Sequence, residues 1–452
     1  MVKIEVDFKN TAGKINAVNS LNNGPVGSSV RNTQSNVFAE LEVPYSRLHD
    51  SSFCESYGGE HTVDVHRIFK NFDADENDPA SYLFGPTDKY VESVVAVGTK
   101  PFYRLGASIE HGHKVGTQVP KDFAKWARVC EHIIMHYNEG WADGFRYGIE
   151  YWEIWNEPEC GNADGSNPCW QGTQDQFIDF YEVAAKHLKG KFPNLKIGGP
   201  AFCSSWVTPF REKFLTAVSD RKIPLDFYSF HAYIRRPETI YDMAQTAKER
   251  LESHGLFGVE LVLDEWNYVR SWQGADYKYS MKQINGLKGS SLAVGGMSAA
   301  QAGGIGKLMY YEGRPGVWAG IYNQFSEPQK AYYSFYFFKE LRRLGTWVKT
   351  DKYVYDNIYV CAATDGKDGA IIATNYSEHD SDFSKNVVFD IKNLFSEDGG
   401  KTRVKIYKIG KDNDGELLYD EPYFDEKTEI HVHLELFESV LIKIVPIGKQ
   451  LC

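Results

Sequence analysis

The stretch Glu150-Tyr-Trp-Glu-Ile-Trp-Asn-Glu157-Pro158-Glu159 decides how this chain is read. Its aromatic-rich first half has the character of a β-strand, and the strand runs out into Asn-Glu-Pro. A second strand-like run, Glu260-Leu-Val-Leu-Asp-Glu265-Trp-Asn267, also ends on a carboxylate. Two glutamates at the ends of two separate strands are the pair that glycoside hydrolysis requires. One gives a proton to the leaving oxygen, and the other attacks the sugar from the opposite face.

Outward from these two runs, similar apolar segments recur at 14–18, 44–48, 101–105, 151–155, 196–199, 227–231, 261–265 and 306–310. Amphipathic segments separate them. In 121–137, Phe123, Trp126, Cys130, Ile133 and Tyr137 fall at spacings of three and four, the helical period. The segments 174–188, 241–251 and 329–344 repeat the pattern, and the last stops at Lys/Arg residues followed by Gly345. Strands alternating with helices predict an α/β fold, a (β/α)8 TIM barrel over 12–346. Beyond it the runs shorten to 353–363, 370–375, 386–391, 402–407, 429–434 and 439–445, broken by turns such as Asp398-Gly-Gly and Asp412-Asn-Asp-Gly. They predict an accessory all-β sandwich over 347–452, completed by an N-terminal strand within 1–11.

The 452 residues include 42% hydrophobic ones, enough for a large core, and carry a net charge of -11. That charge disfavours a nucleic-acid partner and offers membranes no basic patch. No run of eighteen apolar residues predicts a membrane span. A carbohydrate substrate fits the surplus of aromatics, since sugar C–H faces stack on rings. The seven cysteines are odd in number and lack Cys-x-x-Cys spacing. Free thiols and a cytoplasmic chain are the simplest expectation; a secreted chain whose leader has been removed is the other. Cys160 and Cys169 flank one loop and stand as a candidate bridge. Homo-oligomerisation is left open.

Catalytic groups of a barrel sit at the C-terminal ends of its strands. Glu157 ends the fourth and is expected to be the general acid/base, in a dry site that raises its pKa. Glu265 ends the seventh and is expected to be the ionised nucleophile. Asp264, by strand alternation, is expected on the opposite side. Substrate-binding candidates are Asn156 and Trp155 beside the acid, Arg47 and His49 at strand 2, His231 and Tyr233 at strand 6, and Tyr311, Arg314 and Trp318 after strand 8. Arg104 stands either near the nucleophile or in a structural ion pair. No cofactor and no metal is expected: His111-Gly-His113 has no third ligand at helical or strand spacing, and the Gly-rich 289–306 lacks the ending of a phosphate loop.

These residues resemble glycoside hydrolase family 39. The resemblance includes Asn19-Ser-Leu-Asn-Asn-Gly-Pro25, Arg47-Leu-His49, Phe72-Asp-Ala-Asp-Glu-Asn-Asp78, Lys100-Pro-Phe102 with Leu105-Gly106, Glu153-Ile-Trp-Asn-Glu-Pro158 and Asp264-Glu-Trp-Asn267. It implies a retaining mechanism with acid/base at Glu157 and nucleophile at Glu265, and a β-sandwich built from both chain ends. Glu159, Arg104 and Tyr310-Tyr-Glu-Gly-Arg-Pro315 depart from the family's xylosidases, which bears on the sugar and not on the reaction. The expectation is an exo-acting hydrolase of plant-type glycans releasing a pentose, from a β-xyloside or an α-L-arabinofuranoside. An iduronide is a further option, with Arg314 reading its carboxylate. The alternatives are an endo-glycanase or disaccharide-releasing enzyme on the same barrel, and a non-catalytic carbohydrate-binding protein.

Overall fold

A computed structural model describes residues 1–25, 35–51, 61–108, 116–161, 167–316, 318–393, 402–423 and 428–446. Eight parallel strands close into a barrel. In chain order they are β1 (Ala17–Asn22), β2 (Tyr45–Leu48), β3 (Lys100–Leu105), β4 (Tyr151–Ile154), β5 (Lys196–Phe202), β6 (Phe227–Ile234), β7 (Glu260–Tyr268) and β8 (Lys307–Tyr311). β8 pairs with β1 and closes the ring. Parallel strands buried on both faces need crossovers of a dozen or more residues, and the helices between them supply these.

The helices form where capping and periodicity agree. Helix Gln174–Lys191 starts at a capping box, with Thr173 accepting from the N–H of Gln176 and the Gln176 side chain returning to Thr173. Helix Phe123–Asn138 starts at Asp122, whose carboxylate accepts from the N–H of Lys125. Its Trp126, Cys130, Ile133 and Tyr137 are buried, as the spacing predicts. The Gly-rich segment forms the buried helix Leu287–Gly303. A Cβ at Gly296 would lie 2.6 Å from the Trp266 ring, so glycine is what lets this helix approach β7.

The first barrel strand is β1 at Ala17–Asn22, later than the 14–18 expected. Thr11–Lys14 instead pairs with Thr346–Val348 in the accessory sheet. The polar run Asn19-Ser-Leu-Asn22 hides the true strand: its residues are fully buried, but three of the four are polar and hydropathy gives them no signal. The other strands differ from expectation by a few residues at their ends.

The accessory region is two facing sheets. One is three-stranded, with Lys385–Lys392 between Val2–Asp7, parallel to it, and Thr428–Leu434, antiparallel. The larger runs from Asn413–Tyr423 at one edge to Thr11–Lys14 at the other. Ile4, Val6, Phe389 and Ile430 of the first sheet meet Ile358, Ile371, Val404 and Ile442 of the second in one core. The 353–363 run is a hairpin, Val354–Tyr355 with Ile358–Thr364. Asp356 and Asn357, both at positive φ, form its two-residue turn. Strand Asn413–Tyr423 was not expected. It is an edge strand rich in Asp and Glu, so it carries no apolar alternation. The Asp398-Gly-Gly turn and His111-Gly-His113 lie outside the described residues. No helix among the described residues is long and apolar enough to cross a membrane.

Because Ile4 is fully buried between the sheets, Ile4→Ala should cost about 2–5 kcal/mol. Denaturant unfolding followed on the accessory region measures it. A cost below about 0.5 kcal/mol, the range of a surface change, would show that the N-terminal strand does not carry this core.

Candidate active site

The strand-end residues converge at the C-terminal mouth of the barrel. β4 stops at Ile154, and the backbone then turns sharply. Trp155 and Glu157 both adopt positive φ, 78° and 46°, which non-glycine residues rarely do. The N–H of Glu157 donates to the carbonyl of Ala201 near the end of β5 (2.9 Å), fixing the strained turn. Gly106, at the end of β3, makes room for it: a Cβ there would lie 2.8 Å from the Trp155 ring. The turn points the Trp155 indole into a core of Trp126, Trp170 and Phe180, with its N–H on the carbonyl of Cys169 (2.8 Å). Trp155 therefore dries the floor beneath Glu157 and, at 1% exposure, is not a substrate contact.

Asp264 departs from strand alternation. Along β6 and β7, Phe230 pairs with Leu263 and His231 with Glu265, so Asp264 is an extra residue. The ladder to β8 shifts at the same place, with Leu308 opposite Leu263 and Tyr310 opposite Trp266. Such a bulge re-aims side chains. As a result Asp264 and Glu265 both reach Arg47, although they are consecutive. The Arg47 Nε lies 2.9 Å from Asp264 and its Nη1 3.4 Å from Glu265.

Arg47, on β2, is fully buried and serves four partners. Besides Asp264 and Glu265 it holds Glu153 at 2.7 Å and donates to the Asn156 side-chain oxygen at 2.8 Å. Burial works against the guanidinium charge, but Asp264, Glu153 and Glu265 outweigh it and keep Arg47 firmly protonated. The two inner carboxyls divide one charge. Burial, then the neighbouring Glu153, pushes Asp264 well above its ordinary value. Burial would also push Glu153 up, but Arg47 and the proton offered by Asp264 bring it below the usual carboxylate range. Asp264 is then the neutral donor and Glu153 the anion facing Arg47. Arg47 and Asn156 are closed off from solvent, so they position the site and do not line it.

Glu157 and Glu265 remain open to the mouth, with side chains 15% and 11% exposed. One carboxylate oxygen of each, together with a His231 ring nitrogen, lies within 4.8 Å of the others. His231 Nδ1 is 2.7 Å from Glu157 and 3.7 Å from Glu265. Burial lowers the His231 pKa, so the ring is neutral. Burial raises Glu157 to about 8, with Cys160 adding to it against the pull of Arg47. A protonated Glu157 then donates to His231 Nδ1. Burial also raises Glu265, to about 7, against His231 and Arg47. The expectation of a freely ionised Glu265 is thus modified: donors do surround it, yet its pKa stands above the usual range. The hydroxyl of Tyr233 donates to Glu265 at 2.5 Å.

His49 Nε2 reaches towards the other oxygen of Glu265, the one facing Arg47, at 3.9 Å, and lies 3.1 Å from Asp50. Burial, with Arg47 and Arg104 nearby, holds His49 neutral, and its Nδ1 accepts from Arg104 Nε at 3.2 Å. Arg104 also pairs with Asp64 at 2.5 Å, which makes it a structural ion pair behind His49. Tyr311 donates to Asp50 at 2.5 Å, and Arg314 donates to the Asp50 carbonyl at 2.7 Å while pairing with Glu312. Trp318 stacks on Trp272, centroids 6.1 Å apart and planes at 13°, and Tyr233 meets Trp272 edge-on at 4.8 Å. Sequence reading missed Asp50, Glu153 and Trp272. Asp50 directly follows Arg47-Leu-His49 and was within reach of that motif; nothing in the sequence distinguishes Trp272 from other surface aromatics. A separate concavity of about 740 Å³, lined by Tyr82, Phe84, Asp88 and His136 on the outside of the barrel, contains none of these groups.

The model described as glycosyl hydrolases family 39 matches residues 2–256. A β-xylosidase of Geobacillus stearothermophilus is 31% identical over 184 residues, 37% of this chain and 33% of that protein. The chain thus matches about a third of the length of its curated relatives. Among solved structures, a glucosidase from Croceicoccus marinus superposes with a TM-score of 0.80 at 21% identity, covering 99% of both chains. A monomeric β-xylosidase from Caulobacter crescentus CB15 does so with a TM-score of 0.75 at 17% identity, covering 99% of this chain and 100% of the other. These two likenesses are of fold.

Two outcomes follow from the site. For the roles expected of the pair, Glu157 as protonated acid and Glu265 as ionised nucleophile, kcat/KM should rise with an acid limb near about 7 and fall with an alkaline limb near about 8. A narrow bell that loses its alkaline limb in Glu157→Gln agrees; a broad plateau from mildly acid to alkaline pH does not. Arg47→Met, which leaves the anions without a cation, should destabilise by about 3–5 kcal/mol. Thermal unfolding unchanged from wild type would contradict the hub role of Arg47.

Proposed function

The chain belongs to glycosyl hydrolase family 39, and from that premise we propose that it is a retaining, exo-acting glycosidase that releases a terminal pentose. The observation that carries the reading is the approach of Glu157 and Glu265, with oxygens within 4.8 Å. Double displacement needs carboxyl groups about 5 Å apart, whereas inversion needs room for a water, about 6.5–9.5 Å. Glu265 attacks the anomeric carbon while Glu157 gives its proton to the departing oxygen. Glu157, now an anion, takes a proton from water, which displaces Glu265 and releases the sugar with its configuration kept. Two inversions make one retention.

The surrounding groups have defined work in this sequence. Tyr233 and Arg47 hold the attacking oxygen pair of Glu265 in place. His231 parks the proton-bearing oxygen of Glu157 until a leaving oxygen replaces it. The buried floor keeps Glu157 protonated near neutral pH. No step requires a metal or a cofactor.

A pentose is favoured by the β-xylosidase relative. A uronide is disfavoured, because Arg314 is already paired with Glu312 and bound to the Asp50 carbonyl. Trp318 and Trp272 stack beside Tyr233, the latter 55% exposed. That exposed ring supports a second reading, in which the leaving group is a longer glycan.

Aryl β-xyloside, both arabinosides, galactoside, glucoside and iduronide, assayed side by side, test the donor sugar. One pentoside should be cleaved, and NMR of the first product should show the substrate's anomeric configuration. Glu157→Gln should slow it by about 10²–10⁴-fold. Inversion at the anomeric carbon would defeat the mechanism, and cleavage of the iduronide alone would defeat the pentose reading.

A further inference from the structure

Two thiols lie beside Glu157, a third stands further along the loop, and the hydrolytic mechanism uses none of them. Cys160 follows β4 at the strained turn, Cys169 lies further along the same loop, and Cys203 is the residue after β5. All three are free. The sulfurs of Cys160 and Cys203 and one oxygen of Glu157 lie within 4.8 Å of one another. Cys160 and Cys203 are partly open, and Cys169 is buried.

The cluster is held in place by its backbone. The N–H of Cys160 donates to the carbonyl of Glu157 at 3.0 Å, turning the chain back on itself. The N–H of Cys203 donates to the Glu159 carboxylate at 2.8 Å, and Glu159 is in turn clamped by Arg211 at 2.6 Å. The N–H of Cys169 donates to Asn167 at 2.9 Å. Glu159, a departure from the family pattern, thus ties the two cysteine-bearing loops together.

We propose that Cys160, Cys203 and Glu157 form a binding site for one thiophilic cation, Zn2+ being the biological candidate. Sulfur-rich sets of three or four ligands select zinc and its soft neighbours over the oxygen-seeking Mg2+ and Ca2+. A tetrahedral ion with Zn–S near 2.3 Å sets its sulfurs about 3.8 Å apart, so the donors need close in only modestly from their present spacing. On binding, each coordinating thiol gives its proton to solvent and Glu157 becomes a ligand in its ionised form. It then has no proton for a leaving oxygen, so the cation is an inhibitor and not a cofactor. That consequence rests on the glycosidase reading; the metal site does not.

Cobalt(II) is the probe. The full chain, reduced and then freed of reductant without air, is titrated with Co2+ and followed by absorbance. A near-ultraviolet thiolate-to-cobalt band that saturates at one equivalent, bleaches on adding Zn2+, and is lost in both Cys160→Ser and Cys203→Ser is the expected result. No band in wild-type protein whose thiols still react with a disulfide reagent overturns the site, as does a band unchanged in both variants. Native mass spectrometry of wild-type protein avoids any folding defect of the variants: one zinc per chain, lost after thiol alkylation, is expected, and zinc retained after alkylation overturns it. If the band forms, hydrolysis should stop in step with it and return on chelation. A full band with undiminished hydrolysis overturns the ligation of Glu157. A chain that hydrolyses nothing on the sugar panel but shows the band refutes the glycosidase reading and leaves the site.

Discussion

A single buried guanidinium organises the mouth of this barrel. Arg47 enters from β2 and touches carboxyls from β4 and β7 and the amide of Asn156. A buried cation is costly unless fully paired, and buried carboxylates are costly for the same reason. Here three carboxyl groups and one guanidinium are resolved by leaving Asp264 protonated. What remains is one fixed anion at Glu153 and one tunable anion at Glu265. The rest of the site is arranged around that tunable group. Tyr233 gives it a hydrogen bond, neutral His231 separates it from Glu157, and His49 closes its other side.

The electrostatics favour one proton shared unequally between two glutamates. Both are raised by burial, Glu157 further than Glu265. Like charges this close resist ionising together, which pushes their titrations apart. In the proposed mechanism the higher-lying group keeps its proton and serves as the acid, and the lower-lying one loses it and serves as the nucleophile. The assignment follows from surroundings: Glu157 sits over a floor of indole and thiol, whereas Glu265 faces a guanidinium, a phenol and two imidazoles.

Much of this was legible in the chain. Asn-Glu-Pro after an aromatic strand pointed to Glu157, and alternation of strands and helices pointed to the barrel. The legible parts share a cause: their signal is local periodicity or a turn residue. The rest depended on long-range packing. β1 is polar yet buried, so its start was misplaced. Strand alternation puts Asp264 on the wrong side, because a bulge depends on two neighbouring strands and leaves no mark in its own sequence. Trp155 reads as a sugar platform by type, but a positive φ, made possible by Gly106 on another strand, turns it into the core. Asp50 and Trp272 gain meaning only from Tyr311 and Trp318, more than forty residues away in sequence.

The central claim is that Glu265 bonds to the sugar. A 2-deoxy-2-fluoro glycoside of the preferred sugar, carrying a good leaving group, slows release of the intermediate more than its formation. Intact-mass spectrometry after incubation, followed by peptide mapping, reads the result. The account predicts an added mass of one fluorosugar per chain, located on the peptide that carries Glu265 and displaced when substrate is restored. Turnover without any adduct, or an adduct on the peptide carrying Glu157, would contradict it.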